Sequence, residues 1–95
     1  MLALVATLRA KPGQGNALID ALEKIAPQVR QEPGNHAYLT HQASDDPDTI
    51  VMYEQYTDQA ALVAHGKHLK EIGGEVNALL SNPPEITVLQ LRSPA

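Results

Sequence analysis

The chain has 95 residues, no cysteine, and 7 Lys and Arg against 11 Asp and Glu, for a formal charge of −4. That length supports one hydrophobic core, whose folding buries only about 60–65% of the surface exposed by the unfolded chain. Residues 1–95 therefore read as a single domain, held by packing and self-association rather than by disulfides or a thiolate metal site. The basic residues Arg9, Lys11, Lys24, Arg30, Lys67, Lys70 and Arg92 are dispersed, and the only aromatics are Tyr38, Tyr53 and Tyr56. Such a surface does not suit nucleic acid. The opening apolar run, Met1 to Leu8, is shorter than the roughly 18–20 residues that span a bilayer and lacks the basic region and cleavage site of a signal peptide. The expectation is a cytoplasmic protein with no membrane partner.

Leu2 to Leu8 is a β-compatible apolar run ending in the turn signal Lys11-Pro12-Gly13-Gln14-Gly15. The period then changes. Ala17, Leu18, Ala21, Leu22, Ile25, Ala26 and Val29 recur at helical spacing, with Asn16 as the expected N-cap and a kink expected at Pro27. Glu32-Pro33-Gly34-Asn35 closes the helix and leads into a strand over His36 to Ala43. Turn formers from Ser44 to Asp48 precede a second strand, Thr49 to Thr57, so the two read as a hairpin. Asp58 is a good N-cap for a second helix with the stripe Ala61, Leu62, His65, Leu69, Ile72, Val76, Leu79 and Leu80. Gly73-Gly74 is expected to break or kink it. Ser81-Asn82-Pro83-Pro84 stops it, and Glu85 to Leu91 is the last strand.

The order β-α-β-β-α-β defines a ferredoxin-like α+β fold with an antiparallel sheet. Two helices cover one face of such a sheet. Yet Leu4 and Val5, Val51 and Met52, and Val88 and Leu89 make their strands apolar on both faces, so the second face needs a lid. The economical lid is the same sheet of another copy, giving a homodimer through the sheet face.

His65 lies on the apolar stripe of the second helix, so its imidazole faces the sheet, either as a core histidine satisfied by one hydrogen bond or as a pocket acid/base. Glu54 is either a solvated strand carboxylate or part of the same pocket, tuned by burial. His65 and His68 with Glu71 or Glu75 share a helix face, but they complete no ligand motif, and no metal is expected. His36 and His41, an odd number apart, cannot both join such a group and read as exposed strand residues. Gly13-Gln14-Gly15 completes neither a dinucleotide nor a P-loop fingerprint and reads as a turn.

The run Tyr53-Glu54-Gln55-Tyr56-Thr57-Asp58-Gln59-Ala60-Ala61, followed by Ala64-His65, resembles the antibiotic biosynthesis monooxygenase family. Glu32-Pro33-Gly34 before Tyr38, Asp46-Pro47 in the hairpin and Pro83-Pro84-Glu85-Ile86 fit the same pattern, which extends from about Leu2 to Leu91. The resemblance implies a dimeric α+β barrel with a cavity between helices and sheet, and oxidation of quinol-like aromatics by dioxygen without metal, flavin or other cofactor. In that reading His65 accepts a substrate proton, while Glu54, Tyr56, Tyr38, His68, Leu69 and Ile72 contact a small-molecule substrate. The related haem degraders use an asparagine, tryptophan and histidine triad, where this chain places Ala6, His65 and Glu75. An isomerase or tautomerase using the same histidine, and a non-enzymatic ligand-binding dimer, are the alternatives.

Overall fold

Alternation along the first strand is realised in β1 (Leu2–Arg9), where Leu4, Ala6 and Leu8 are buried while Ala3, Val5 and Thr7 face the other way. In a computed structural model describing residues 1–93, β1 is followed by α1 (Gly15–Arg30), β2 (Asn35–Ala43) and β3 (Asp46–Tyr56). Then come α2 (Gln59–Ile72), a short α3 (Gly74–Ala78) and β4 (Glu85–Gln90). The strands form one antiparallel sheet in the order β2-β3-β1-β4, the ferredoxin-like arrangement.

Helix α1 begins earlier than its sequence suggests. Gln14 is the N-cap and makes no side-chain capping bond, and Asn16 already lies within the first turn. The reason is a cap supplied from β3: the carboxylate of Asp48 accepts from the backbone N–H groups of Gly13 and Gly15, both at 2.9 Å. Gly13 has φ +78°, which glycine adopts without strain. The amides of this phosphate-loop-like turn are thus engaged by a carboxylate. Pro27 is accommodated within the last turn of one helix that continues to Arg30, so it removes a bond only near a terminus. The hairpin turn is tighter than expected, with Ser44 and Asp45 at its tip and Asp46 to Asp48 in β3. Asp46 organises that strand's start, accepting from Asp48 N–H at 3.0 Å and Thr49 Oγ1 at 2.7 Å.

Asp58 caps α2 as expected, accepting from Ala61 N–H at 2.9 Å. The helix passes through Gly66 and ends at Ile72, with Gly73 serving both as its C-cap and as the N-cap of α3. Gly34 sets how close α2 comes to the loop after α1, because a Cβ there would collide with that of Ala61.

The helices cover the sheet face that carries Leu4, Ala6, Leu8, Tyr38, Ile50, Met52, Glu54 and Tyr56. Leu18, Leu22, Ala26 and Val29 of α1 fill the centre, with Leu62, Leu69, Ile72, Val76, Leu79 and Leu80 packed around it. Neighbouring strands bring Val5 beside Tyr53, Leu39 beside Tyr53 and Ala3 beside Leu89 on the opposite face. Among the described residues no helix covers that side, and Leu39 and Leu89 are about half exposed, at 48% and 46%. Among the described residues, no helix is long and apolar enough to cross a membrane.

Candidate active site

Strand alternation decides which polar groups enter the core. Ile50, Met52, Glu54 and Tyr56 occupy every second position of β3 and all face the helices, so the carboxylate between Met52 and Tyr56 is buried. Glu54 and His65 are the only buried polar or charged residues among those described, each 4% exposed. They meet across the interior: His65 Nε2 lies 3.3 Å from Glu54 Oε1, and the same oxygen accepts a 2.6 Å hydrogen bond from Tyr56 Oη.

The other side of the imidazole meets a residue from a third element. Glu32, in the loop after α1, places Oε1 and Oε2 at 3.0 and 3.2 Å from His65 Nδ1. Its Oε2 is also 2.6 Å from Nδ1 of His68, whose side chain is 29% exposed. Two aromatic rings frame His65. Tyr56 lies tilted at a centroid distance of 4.9 Å, and Tyr38 meets it edge-on at 6.0 Å.

Burial lowers the pKa of His65, opposed by the neighbouring Glu32. With its proton on Nδ1, a neutral ring donates to the Glu32 carboxylate and turns its Nε2 lone pair toward Glu54. Burial raises Glu54 from 4.5 to about 7, against the lowering effect of the Tyr56 hydroxyl. A lone pair facing a carboxylate is repulsive, and a proton held between Glu54 and His65 relieves it. Tyr38 and Tyr56 are both pushed upward, first by burial and then by Glu54, and remain phenols.

The raised pKa of Glu54 carries a stability prediction. Between pH of about 4.5 and about 7 the folded protein keeps a proton that the unfolded chain has released, so stability falls as pH rises through that window. The neutral amide of a Glu54→Gln variant imitates the protonated acid. The variant should match wild type at about pH 4 and exceed it by about 3 kcal/mol at about pH 8, checked by paired melts.

Glu54, His65 and Tyr38 form the polar end of a cavity of about 680 Å³ between helices and sheet. Its walls are otherwise largely apolar, with Leu4, Leu22, Met52, Leu62, Leu69 and Ile86 among them, and Lys70 and Asn77 also border it. Of the residues expected to contact a ligand, Tyr38, Glu54, His65 and Leu69 line this space. Tyr56 is fully buried behind Glu54, His68 stands on the outer side of Glu32, and Ile72 packs against the core. Glu71 and Glu75 do not join the histidines; Glu75 instead pairs with Lys24 at 3.1 Å. His36 bonds Thr57 Oγ1 at 2.7 Å and His41 the carbonyl of Val51 at 3.2 Å, both away from the cavity. Glu32, the residue that joins the two histidines, reads in the sequence as part of a helix-ending turn and of the family pattern, with no role in the site assigned to it.

The chain is thus a small α+β protein with an antiparallel ferredoxin-like sheet and a largely apolar cavity, bounded at one end by a histidine between two carboxylates. The profile of the antibiotic biosynthesis monooxygenase family matches residues 1–70, and the chain belongs to that family. It is 39% identical over 75 residues to the probable quinol monooxygenase YgiN of Escherichia coli, covering 68% of this chain and 72% of that protein. Among solved structures it resembles PA3566 of Pseudomonas aeruginosa, with TM-score 0.82, 34% identity and coverage of 96% and 94% of the two chains. It likewise resembles Rv0793 of Mycobacterium tuberculosis, with TM-score 0.85, 27% identity and coverage of 99% and 97%.

Proposed function

We propose that the protein is a cofactor-independent monooxygenase of a small electron-rich aromatic, a hydroquinone or related phenol, with His65 as proton acceptor. The observation that carries this reading is His65 held between Glu32 and Glu54 at the polar end of an apolar cavity. A substrate hydroxyl entering beside Glu54 and Tyr38 gives its proton to the Glu54–His65 pair, and the imidazolium that forms is flanked by carboxylates on both sides. Removal of the proton makes the ring a stronger reductant, and the dry walls keep the intermediate from water. For a hydroquinone the balance closes without an added reductant. The substrate supplies the electrons, one atom of dioxygen enters the ring to give a hydroxyquinone, and the other leaves as water. The hydroxyquinone is a vinylogous acid and departs as its anion, so each turnover releases a proton.

Tyr38 and Leu69 contact the substrate directly in this reading. Tyr56 positions Glu54 by its hydrogen bond, and His68 and Ile72 act from behind the cavity wall. The uncovered sheet face pairs with a second copy, in keeping with its half-exposed Leu39 and Leu89. Oxygen-electrode assays over a panel of hydroquinones, with and without chelator, test the activity. Expected is chelator-insensitive uptake of one dioxygen per hydroquinone; no uptake on any of them would overturn the monooxygenase reading. The histidine–carboxylate pair also suits an isomerase that returns the proton to another atom of its substrate, and turnover under strict anaerobiosis would favour that reaction instead.

A further inference from the structure

We infer that Glu32 and His68 form a proton relay connecting the buried Glu54–His65 pair with solvent. A substrate filling the cavity closes that side to water, so the pair then needs another outlet. Both its members are 4% exposed, and Tyr38 and Tyr56 close the space around the imidazole. His65 Nδ1 lies within hydrogen-bond reach of both oxygens of Glu32, at 3.0 and 3.2 Å. One of those oxygens, Oε2, stands 2.6 Å from Nδ1 of His68, and the His68 ring reaches the surface. Tyr56 Oη, Glu54, His65, Glu32 and His68 thus form one continuous chain of contacts from the cavity to the exterior.

Each link can both receive and pass on a proton. One arriving at Nε2 of His65 releases the proton on Nδ1 to Glu32, which returns one to Nδ1 of His68, and the partly exposed ring exchanges with water. No bond other than O–H and N–H changes, and no oxidant is involved. The groups facing the relay are Glu54 and Tyr56 from β3, Tyr38 from β2, and Arg30 at the end of α1, whose guanidinium is held on the Tyr38 carbonyl at 2.9 Å. Arg30 is held on the Tyr38 side by its hydrogen bond to that carbonyl, and Lys70 borders the cavity. The relay rests on the monooxygenase reading only for the source of its proton.

The test therefore uses no substrate. Exchange of the His65 Nδ1 proton with water is followed by nuclear magnetic resonance in wild type, His68→Gln and Glu32→Gln. The amide of His68→Gln can still donate to Glu32, and that of Glu32→Gln can still accept from His65, but neither carries a proton onward. Both variants should slow the exchange at least about tenfold. Added imidazole should restore it in His68→Gln and leave wild type unaffected. Unchanged exchange in His68→Gln would overturn the relay. Should either variant fail to fold, wild type answers alone: exchange independent of low urea concentrations supports the relay, and exchange that rises with urea shows escape by unfolding and overturns it. A relay that passes this test in a protein without dioxygen uptake would sink the monooxygenase reading and leave the relay standing. In an active protein, His68→Gln should lower kcat with KM retained, and imidazole should restore it.

Discussion

His65→Gln should lower kcat/KM for hydroquinone oxidation by about 10²- to 10⁴-fold, the usual contribution of a positioned proton acceptor. Glutamine is close to histidine in volume and can donate to Glu32, so the loss reflects the missing base rather than a collapsed pocket. Wild-type activity should rise as the shared proton leaves Glu54 near pH 7, where burial has moved that carboxyl. Steady-state kinetics across pH would check both statements. A loss well below the lower bound, with the pH profile preserved, would assign the accepting role to Glu54 and leave His65 as its positioning partner.

Val5→Asp should convert the protein into an unfolded or aggregated chain rather than a soluble monomer. Val5 lies on the uncovered face between Tyr53 and Thr87 of the adjoining strands, so a carboxylate there enters the middle of the proposed interface. A dimer of ordinary size buries about 800 Å² per partner, a gross gain of about 20 kcal/mol each if mostly apolar, before the costs of association. A domain this small is expected to be stable by only about 5 kcal/mol, so folding and pairing should be coupled. Light scattering and concentration-dependent melts provide the check. Monomeric wild type at micromolar concentration, melting independently of concentration, would overturn the paired sheet.

The alternating strands and the helical stripes made the ferredoxin-like fold legible because their periods report directly which residues share a face. His65 was legible for the same reason, standing among Leu62 and Leu69 on one stripe. Glu54 was half legible: alternation with Ile50, Met52 and Tyr56 points it inward, yet a strand carboxylate is ordinarily solvated, and periodicity says nothing of what satisfies it. Glu32 lay beyond such reasoning, since it sits in no periodic element and meets His65 only because Gly34 lets α2 approach. The neighbouring Pro33-Gly34 read as a helix stop, and that reading concealed a carboxylate aimed into the core. The early start of α1 escaped for a similar reason, because its cap comes from Asp48 on another strand.

That long-range construction governs when the chemistry can exist. The contacts of Glu32 with His65 and His68 span 33 and 36 residues, and they join the loop after α1 to the middle of α2. Contacts of this kind require the intervening loops to have closed, so they belong to the assembled fold. A nascent or partly folded chain therefore has the histidine without its two carboxylates and without a dry wall around it. In the proposed reaction, proton removal and the reduction of dioxygen would therefore be confined to molecules whose topology is complete, since an unfinished chain lacks the assembled base that would start the oxidation.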